Sequence, residues 1–172
     1  MIALRVEPVG EKHIRVSGIN PVVLDCLHAL PEILEQRDSP TVRPRLFPDP
    51  MPSDQKANAE WQRLIGPELR HLFASAGETV VRDLTALSPD PDSDELCALT
   101  FPAEHMKAWM STLNEARLIM GEQFQVAEED MSAADFDVRT PKGLAVFRIH
   151  VLGYLLQLFI ELESGDEPET NL

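Results

Sequence analysis

The chain has 172 residues, of which 44% belong to the hydrophobic set and 26% are charged. This length fits one domain that buries about 70% of the surface of its extended chain, enough for a sizeable core. The 29 acidic residues against 15 Lys and Arg residues give a net charge of −14. Direct binding to nucleic acid or to an anionic membrane requires a basic face, so neither is expected. Two cysteines are too few for a disulfide framework and match no metal-ligand spacing.

Two segments near the N-terminus alternate between apolar and polar residues, which is the pattern of a half-buried strand. They cover residues 2–8 and 11–17, and Gly10 lies where the chain can turn between them. A lone hairpin is only marginally stable in water, so it needs further support. The alternating residues 96–101 are the best candidate for a third strand, and the sequence therefore predicts a small antiparallel sheet.

Helix signals follow the first two strands. Asn20 and Pro21 combine a capping residue with a proline in the first turn, which predicts a helix start. Residues 38–54 contain five prolines and can form neither a helix nor a central strand. Because Phe47 lies among them, we expect this proline-rich segment (residues 38–54) to be ordered and held against the core.

The middle of the chain predicts a long helix with interruptions. Gly66 and Pro67 are expected to bend it, and Gly77 is expected to break it. Residues 88–94 are rich in Asp, Ser and Pro, so an exposed acidic loop is predicted there.

Apolar stripes at helical spacing predict two further helices, one from Pro102 to about Phe124 and a buried one from Pro141. Together with the apolar stripe of the predicted helix in the middle of the chain, these stripes predict five core residues: Trp61, Trp109, Leu113, Leu152 and Leu156. The predicted fold class is mainly α, a helical bundle of about five helices with a small N-terminal antiparallel β-sheet.

We expect a single domain over residues 1–163. It comprises a β-hairpin over residues 1–18 and a mainly helical part over residues 20–163, and an acidic flexible tail over residues 164–172 follows. The N-terminus lacks the basic start and apolar run of a signal peptide. Residues 144–162 are apolar but are interrupted by charged and polar side chains, which favours a core helix over a membrane span. We therefore expect a cytoplasmic protein.

Acidic residues are concentrated in one part of the chain. The segment from Asp83 to Asp137 holds 13 acidic residues against Lys107 and Arg117, whereas residues 43–82 hold five acidic residues against six Lys and Arg residues. This asymmetry has two interpretations: a solubilising surface, or a face for a basic protein partner.

The sequence contains none of the strong catalytic motifs, such as a phosphate-binding Gly-rich loop, a nucleophile elbow or a zinc-binding His pair. Possible metal ligands are Glu104, His105 and the acidic residues 128–130. An acidic loop without a ligand pattern is, however, typical of solvated surface. We expect no metal, no cofactor and no enzymatic activity.

Arg117 lies on the apolar stripe of the predicted helix that ends near Phe124, with Asn114 beside it. A buried guanidinium must be paired or hydrogen-bonded. We therefore predict that Arg117 and Asn114 form a structural clamp, bonded to carbonyl groups of the proline-rich segment or to an acidic residue near it. The alternative is a small-ligand, anion or enzyme site formed by Arg45, Asn114 and Arg117.

Arg148 and His150 lie in the last apolar helix, where satisfied core polar groups are expected more often than a proton-handling site. Cys26 and Cys97 lie in apolar surroundings, which favours buried, inert thiols. As redox candidates they would have to meet in space, or one would have to be exposed with a lowered pKa.

Three blocks of the sequence resemble a bacterial family of domains of unknown function, the one numbered two thousand and seventeen. They are Arg43-x-Arg45-Leu46-Phe47-Pro48, Leu113-Asn114-x-x-Arg117-Leu118-x-x-Gly121, and the apolar C-terminal helix with Gln157. The resemblance implies a mainly helical fold. Some members of the family are described as regulators of the oxidative-stress response, and none has established catalytic residues.

These observations predict a non-enzymatic regulatory or adaptor protein that acts through protein contacts, in a stress response if the resemblance extends to function. The expected partner is a protein, basic or connected with transcription. The alternative is the ligand-binding or enzymatic site near Arg45, Asn114 and Arg117.

Overall fold

The computed structural model describes residues 4–165. In chain order the elements are β1 (Arg5–Val9), β2 (His13–Ile19), α1 (Pro21–His28), α2 (Leu30–Glu35), α3 (Arg43–Leu46), α4 (Gln55–Leu64), α5 (Gly66–Leu84), β3 (Ser88–Asp90), β4 (Ser93–Pro102), α6 (Met106–Gln123), α7 (Glu128–Ser132) and α8 (Pro141–Ser164). The prediction of a mainly α fold with a small antiparallel sheet is confirmed. Residues 2 and 3 of the predicted first strand, and residues 166–172 of the predicted tail, lie outside the described residues.

The sheet has four antiparallel strands in the order β1-β2-β4-β3. It is therefore not confined to the N-terminus, because β3 and β4 come from the middle of the chain. Residues 96–101 form the third strand as predicted, within the longer β4. Pro8 lies inside β1, which it can do because β1 is an edge strand and needs no N–H donor on its open side.

The predicted loop over residues 88–94 is wrong in part, since residues 88–90 form β3. Asp90 is buried and accepts the backbone N–H groups of Gly18 at 2.8 Å and Asp92 at 3.0 Å. Those two hydrogen bonds, the one from Gly18 first, hold the pKa of Asp90 below its ordinary value. Gly18 has a φ of +72° at an irregularity in the pairing of β2, so Asp90 fixes a backbone conformation that favours glycine.

The helical part is divided more finely than the predicted five helices. Pro31 restarts the first helix as α2, and at the bend predicted for Gly66 and Pro67 the helix is interrupted at Ile65, which separates α4 from α5. The break predicted at Gly77 is wrong, because α5 continues to Leu84. A Cβ atom at residue 77 would lie 3.2 Å from Leu34 Cδ1, so the glycine serves the close approach of α2 to α5.

The core lies between α6, α8 and the sheet. Trp109, Leu113 and Leu152 are fully buried as predicted. The ring of Trp109 stacks on Phe101 of β4 with 5.1 Å between ring centroids. Two predictions are wrong: Leu156 is only half-buried at the edge of the core, and Trp61 is half-buried because α4 packs mainly on α5 and leaves its other side open.

Helix α8 is long and apolar enough to cross a membrane by length and composition, a test that the core helix of a soluble protein also passes. Among residues 4–165 it is the one helix that meets these criteria. Most of its buried residues belong to the same core cluster as those of α6. They include Ala145, Ile149, Leu152, Leu155 and Phe159.

Candidate functional site

A buried ion pair fixes the beginning of the proline-rich segment to α6. Arg37, in the 3-10 turn after α2, donates Nε to Glu115 Oε1 and donates Nη2 to Glu115 Oε2 at 3.2 Å. Its Nη2 group also donates to the carbonyl of Phe73 at 3.3 Å. The Glu115 side chain is 0% exposed and that of Arg37 is 16% exposed. Burial raises the pKa of the Glu115 carboxyl, and the Arg37 guanidinium opposes part of that rise.

The rest of the proline-rich segment is anchored by apolar side chains, including the predicted Phe47. Val42, Leu46 and Phe47 are buried, and the Phe47 ring meets Phe73 edge-on with 5.6 Å between centroids. Asn58 of α4, also buried, accepts the N–H of Met51 at 2.8 Å. The segment is therefore ordered, as the sequence indicates. The prediction that it forms no helix is wrong, because Pro44 stands in the first turn of the four-residue α3, where a proline is tolerated.

The clamp predicted for Arg117 and Asn114 is absent from the described part of the chain. Asn114 is exposed, and Arg117 Nε is buried without a hydrogen-bond partner. The Arg117 guanidinium lies against α8 instead, where a Cβ atom at Gly153 would be 3.2 Å from Nε. A clamp between α6 and this region does exist, but Glu115 on the helix and Arg37 outside it form it.

Arg45, the third candidate, contacts a different part of α6. Its Nε lies 3.6 Å from Glu122 Oε1, and the two side chains are 57% and 44% exposed. None of the four principal cavities between residues 4 and 165 includes Arg45, Asn114 or Arg117 in its lining. The structure therefore does not bring the three residues together around one cavity.

The two redox candidates are free thiols. Cys26 on α1 is buried, and burial raises the pKa of its thiol to about 11, which disfavours the reactive thiolate. Cys97 lies in β4 opposite Ile19 of β2 and is half-buried.

His105, a residue of the possible metal cluster, contacts Asp83 instead. Its Nδ1 atom lies 3.0 Å from Asp83 Oδ2, and Trp109 Nε1 donates to the same oxygen at 2.9 Å. This buried cluster connects the end of α5 to the beginning of α6. Within residues 4–165, no three His, Cys, Asp or Glu side chains are grouped so that they could hold a metal ion.

The most basic of the four principal cavities lies between α3, α4 and α5. We call it the arginine pocket; it has a volume of about 460 Å³ and is lined by Arg43, Pro44, Phe47, Asp49, Gln62, Arg63 and Arg70. The Arg70 guanidinium lies over the Phe47 ring, 5.3 Å from its centroid, and its buried Nε has no hydrogen-bond partner. The three arginines form no ion pair with a described carboxylate, unlike Arg37 and Arg45.

Large apolar side chains are exposed on the same pair of helices. Leu64 and Ile65 follow Arg63 at the α4–α5 junction and are 56% and 49% exposed, and Leu72 is 58% exposed. Leu72 lies seven residues after Ile65, the residue that precedes α5, so the two side chains lie on the same side of this helix. We call the arginine pocket and these three apolar residues the α3–α5 surface.

Sequence reasoning did not identify the α3–α5 surface, although a signal was present. Residues 43–82 hold six Lys and Arg residues against five acidic residues, whereas the chain as a whole carries a net charge of −14. The helical spacing of Leu64, Ile65 and Leu72 was consistent with a core face as well as with an exposed one.

The described residues define a class: a mainly α-helical protein whose four-stranded antiparallel sheet packs against two central helices, with a basic cavity at one side. The family model described as "Domain of unknown function (DUF2017)" matches residues 20–162, and the chain belongs to that family. No curated protein and no solved structure matches the chain.

Proposed function

We propose that this protein is a non-enzymatic adaptor or regulatory protein that acts through protein contacts, and that the α3–α5 surface is its contact site. One observation carries the proposal. In a chain of charge −14, Arg43, Arg63 and Arg70 line one cavity whose single carboxylate, Asp49, forms no ion pair with them, and the neighbouring helices also expose large apolar side chains. Following the family resemblance, we propose that this role is cytoplasmic and belongs to a stress response.

The chemistry of the α3–α5 surface favours an acidic partner segment with apolar side chains. Guanidinium groups bind carboxylates through paired, charge-assisted hydrogen bonds, and arginine is enriched among the residues that dominate binding energy. Leu64, Ile65 and Leu72 would lose contact with water on binding, which adds a favourable hydrophobic contribution.

The acidic segment from Asp83 to Asp137 supports the earlier idea of a basic partner less well. Three of its 13 acidic residues, Asp83, Asp90 and Glu115, are buried. Three others contact basic side chains of the same chain: Glu122 with Arg45, Asp130 with Lys142 and Asp137 with Arg139. Much of the charge available to a basic partner is therefore already neutralised or removed from the surface.

The proposal is tested by selecting peptides from a random display library against the full chain. We expect the enriched peptides to combine Asp or Glu with apolar residues, and to bind more weakly as the salt concentration rises. In fluorescence anisotropy, Arg63→Glu should weaken binding of an enriched peptide roughly tenfold or more, because it places a like charge opposite the peptide carboxylates.

Arg82→Glu is the matched control, since Arg82 is an exposed arginine of α5 outside the arginine pocket and should not change the affinity. Leu72→Ser tests the apolar contribution. Enrichment of basic peptides, or equal effects of the Arg63 and Arg82 variants, would overturn the proposal.

A further inference from the structure

Arg148 is a charged side chain in the apolar α8 whose hydrogen-bonding capacity is only partly used. Its Nη2 group lies 3.1 Å from Asp25 Oδ2 of α1, and its side chain is 23% exposed. Its Nε atom is sealed from water and has no hydrogen-bond partner. A buried donor without an acceptor is unfavourable, so this atom indicates a missing acceptor group.

The same side chain lines a cavity of about 320 Å³ between α2, the C-terminal end of α6 and the N-terminal end of α8. Just over half of the wall is apolar, with Ile33, Met120, Phe124 and Leu144 among its residues. Gln36 and Gln123 add two amide groups, for which no side-chain hydrogen bond is found among the described residues. A largely apolar cavity with a few convergent polar groups is the usual form of a small-molecule site.

We propose that this cavity binds a small organic carboxylate with an apolar body, and that Arg148 holds the carboxylate. The Arg148 guanidinium supplies the charge-assisted hydrogen bond that an oxygen of the ligand would accept, through an N–H group that is neither sealed from water nor bonded to Asp25. The N-terminus of the 24-residue α8 adds a favourable dipole for an anion. The volume lies at the lower end of the range for ligand sites, which fits a small molecule.

The charges around the cavity narrow the ligand class further. Arg139 also lines it, but Asp137 holds its guanidinium at 2.8 Å and 3.1 Å. Glu32 contributes one negative charge to the wall. Arg148 is the basic group of this wall that retains an unused donor, and its one positive charge matches a single carboxylate. A phosphate or a dicarboxylate carries more negative charge and would be repelled more strongly by Glu32.

The test uses the ¹⁵N-labelled full chain, hexanoate as the probe and hexanamide as its neutral counterpart. Hexanoate should shift the Arg148 Nε–H resonance in a saturable manner, together with backbone signals of α2 and α8. Hexanamide should bind roughly 10- to 100-fold more weakly, which is the range for one hydrogen bond to a charged group. Arg148→Gln should weaken hexanoate binding to a similar extent.

Two controls keep the result interpretable. Arg139→Gln removes a charge at the same cavity without touching Arg148 and should leave binding nearly unchanged. Asp25→Asn removes the competing carboxylate of Arg148 and should leave binding unchanged or strengthen it. The absence of a saturable shift, equal binding of hexanamide, or full binding by Arg148→Gln would each overturn the proposal. The cavity shares no lining residue with the arginine pocket, so neither outcome depends on the proposed adaptor function.

Discussion

The ion pair between Arg37 and Glu115 allows a quantitative test of how the proline-rich segment is held. Arg37→Met preserves most of the side-chain volume but removes the guanidinium. Glu115, which is 0% exposed, then becomes a buried carboxylate without its cationic partner. Removing one member of a buried ion pair costs about 3–5 kcal/mol, because the remaining charge can neither reach water nor find a partner.

The cost should depend on pH in a defined direction. Burial already raises the pKa of Glu115, and loss of Arg37 removes the group that opposes this rise. Between the unfolded-state pKa of about 4.3 and the raised folded-state pKa, Glu115 therefore carries a proton in the folded variant but not in the unfolded chain. The destabilisation should be largest above this pH range and should shrink as the pH falls through it.

Urea unfolding followed by circular dichroism measures the effect, at about pH 8 and at about pH 5. Arg45→Met is the matched control, because Arg45 pairs with another α6 glutamate, Glu122, in an exposed position. A surface pair contributes about 0–1 kcal/mol. The double variant Arg37→Met/Glu115→Leu should recover much of the loss, since an apolar pair can replace a buried ion pair. A loss below about 1 kcal/mol for Arg37→Met, or a loss that grows as the pH falls, would refute this reasoning.

Three further predictions concern other parts of the molecule. Gly143→Ala should destabilise the protein by about 1–3 kcal/mol in urea unfolding, because its Cβ atom would overlap the backbone carbonyl oxygen of Asp137. Gly121→Ala is the control: this glycine has open space around it, so the change should be neutral or stabilising by about 0.5 kcal/mol. A thiol reagent at about pH 8 should modify Cys97 before Cys26 in the folded protein, because burial raises the pKa of the Cys26 thiol to about 11. In urea the reagent should modify both cysteines at equal rates. Equal rates in the folded protein would contradict the prediction. Because the pKa of Asp90 is lowered in the folded state, its stabilising contribution is present above the unfolded-state pKa of about 3.9 and is lost as the pH falls through the folded-state pKa. Asp90→Asn should therefore remove this part of the acid dependence of the free energy of unfolding. An unchanged acid dependence would argue against the two backbone hydrogen bonds to Asp90.

Features set by neighbouring residues could be predicted well. Asn20 accepts the N–H groups of Val22 and Val23 at 3.0 Å and 2.9 Å, as its position before Pro21 indicated. The alternating residues 96–101 form a strand between two others. These features depend on side-chain periodicity and on capping chemistry within a few residues, so a single sequence contains the information.

The burial of α6 was harder to predict because several elements pack around it. An apolar stripe suggests one buried face, yet α6 contacts α2, α3, α5 and α8. Its buried surface is therefore wider than a stripe and includes Thr112 and Glu115. The same stripe predicted that Arg117 contacts the proline-rich segment. In the structure the Arg117 guanidinium lies against Gly153 of α8 instead.

The sequence by itself determined most of the secondary-structure types, the buried position of α8, and the ordering of the proline-rich segment by Phe47. Only the tertiary structure decided which charges are neutralised inside the protein and which remain free. Glu115 meets Arg37 across 78 positions and Arg148 meets Asp25 across 123, whereas Arg43, Arg63 and Arg70 meet around a cavity without a carboxylate partner among the described residues. Local periodicity carries no information about such pairs, because Coulomb interactions and desolvation depend on distance in space, which the packing of whole helices sets.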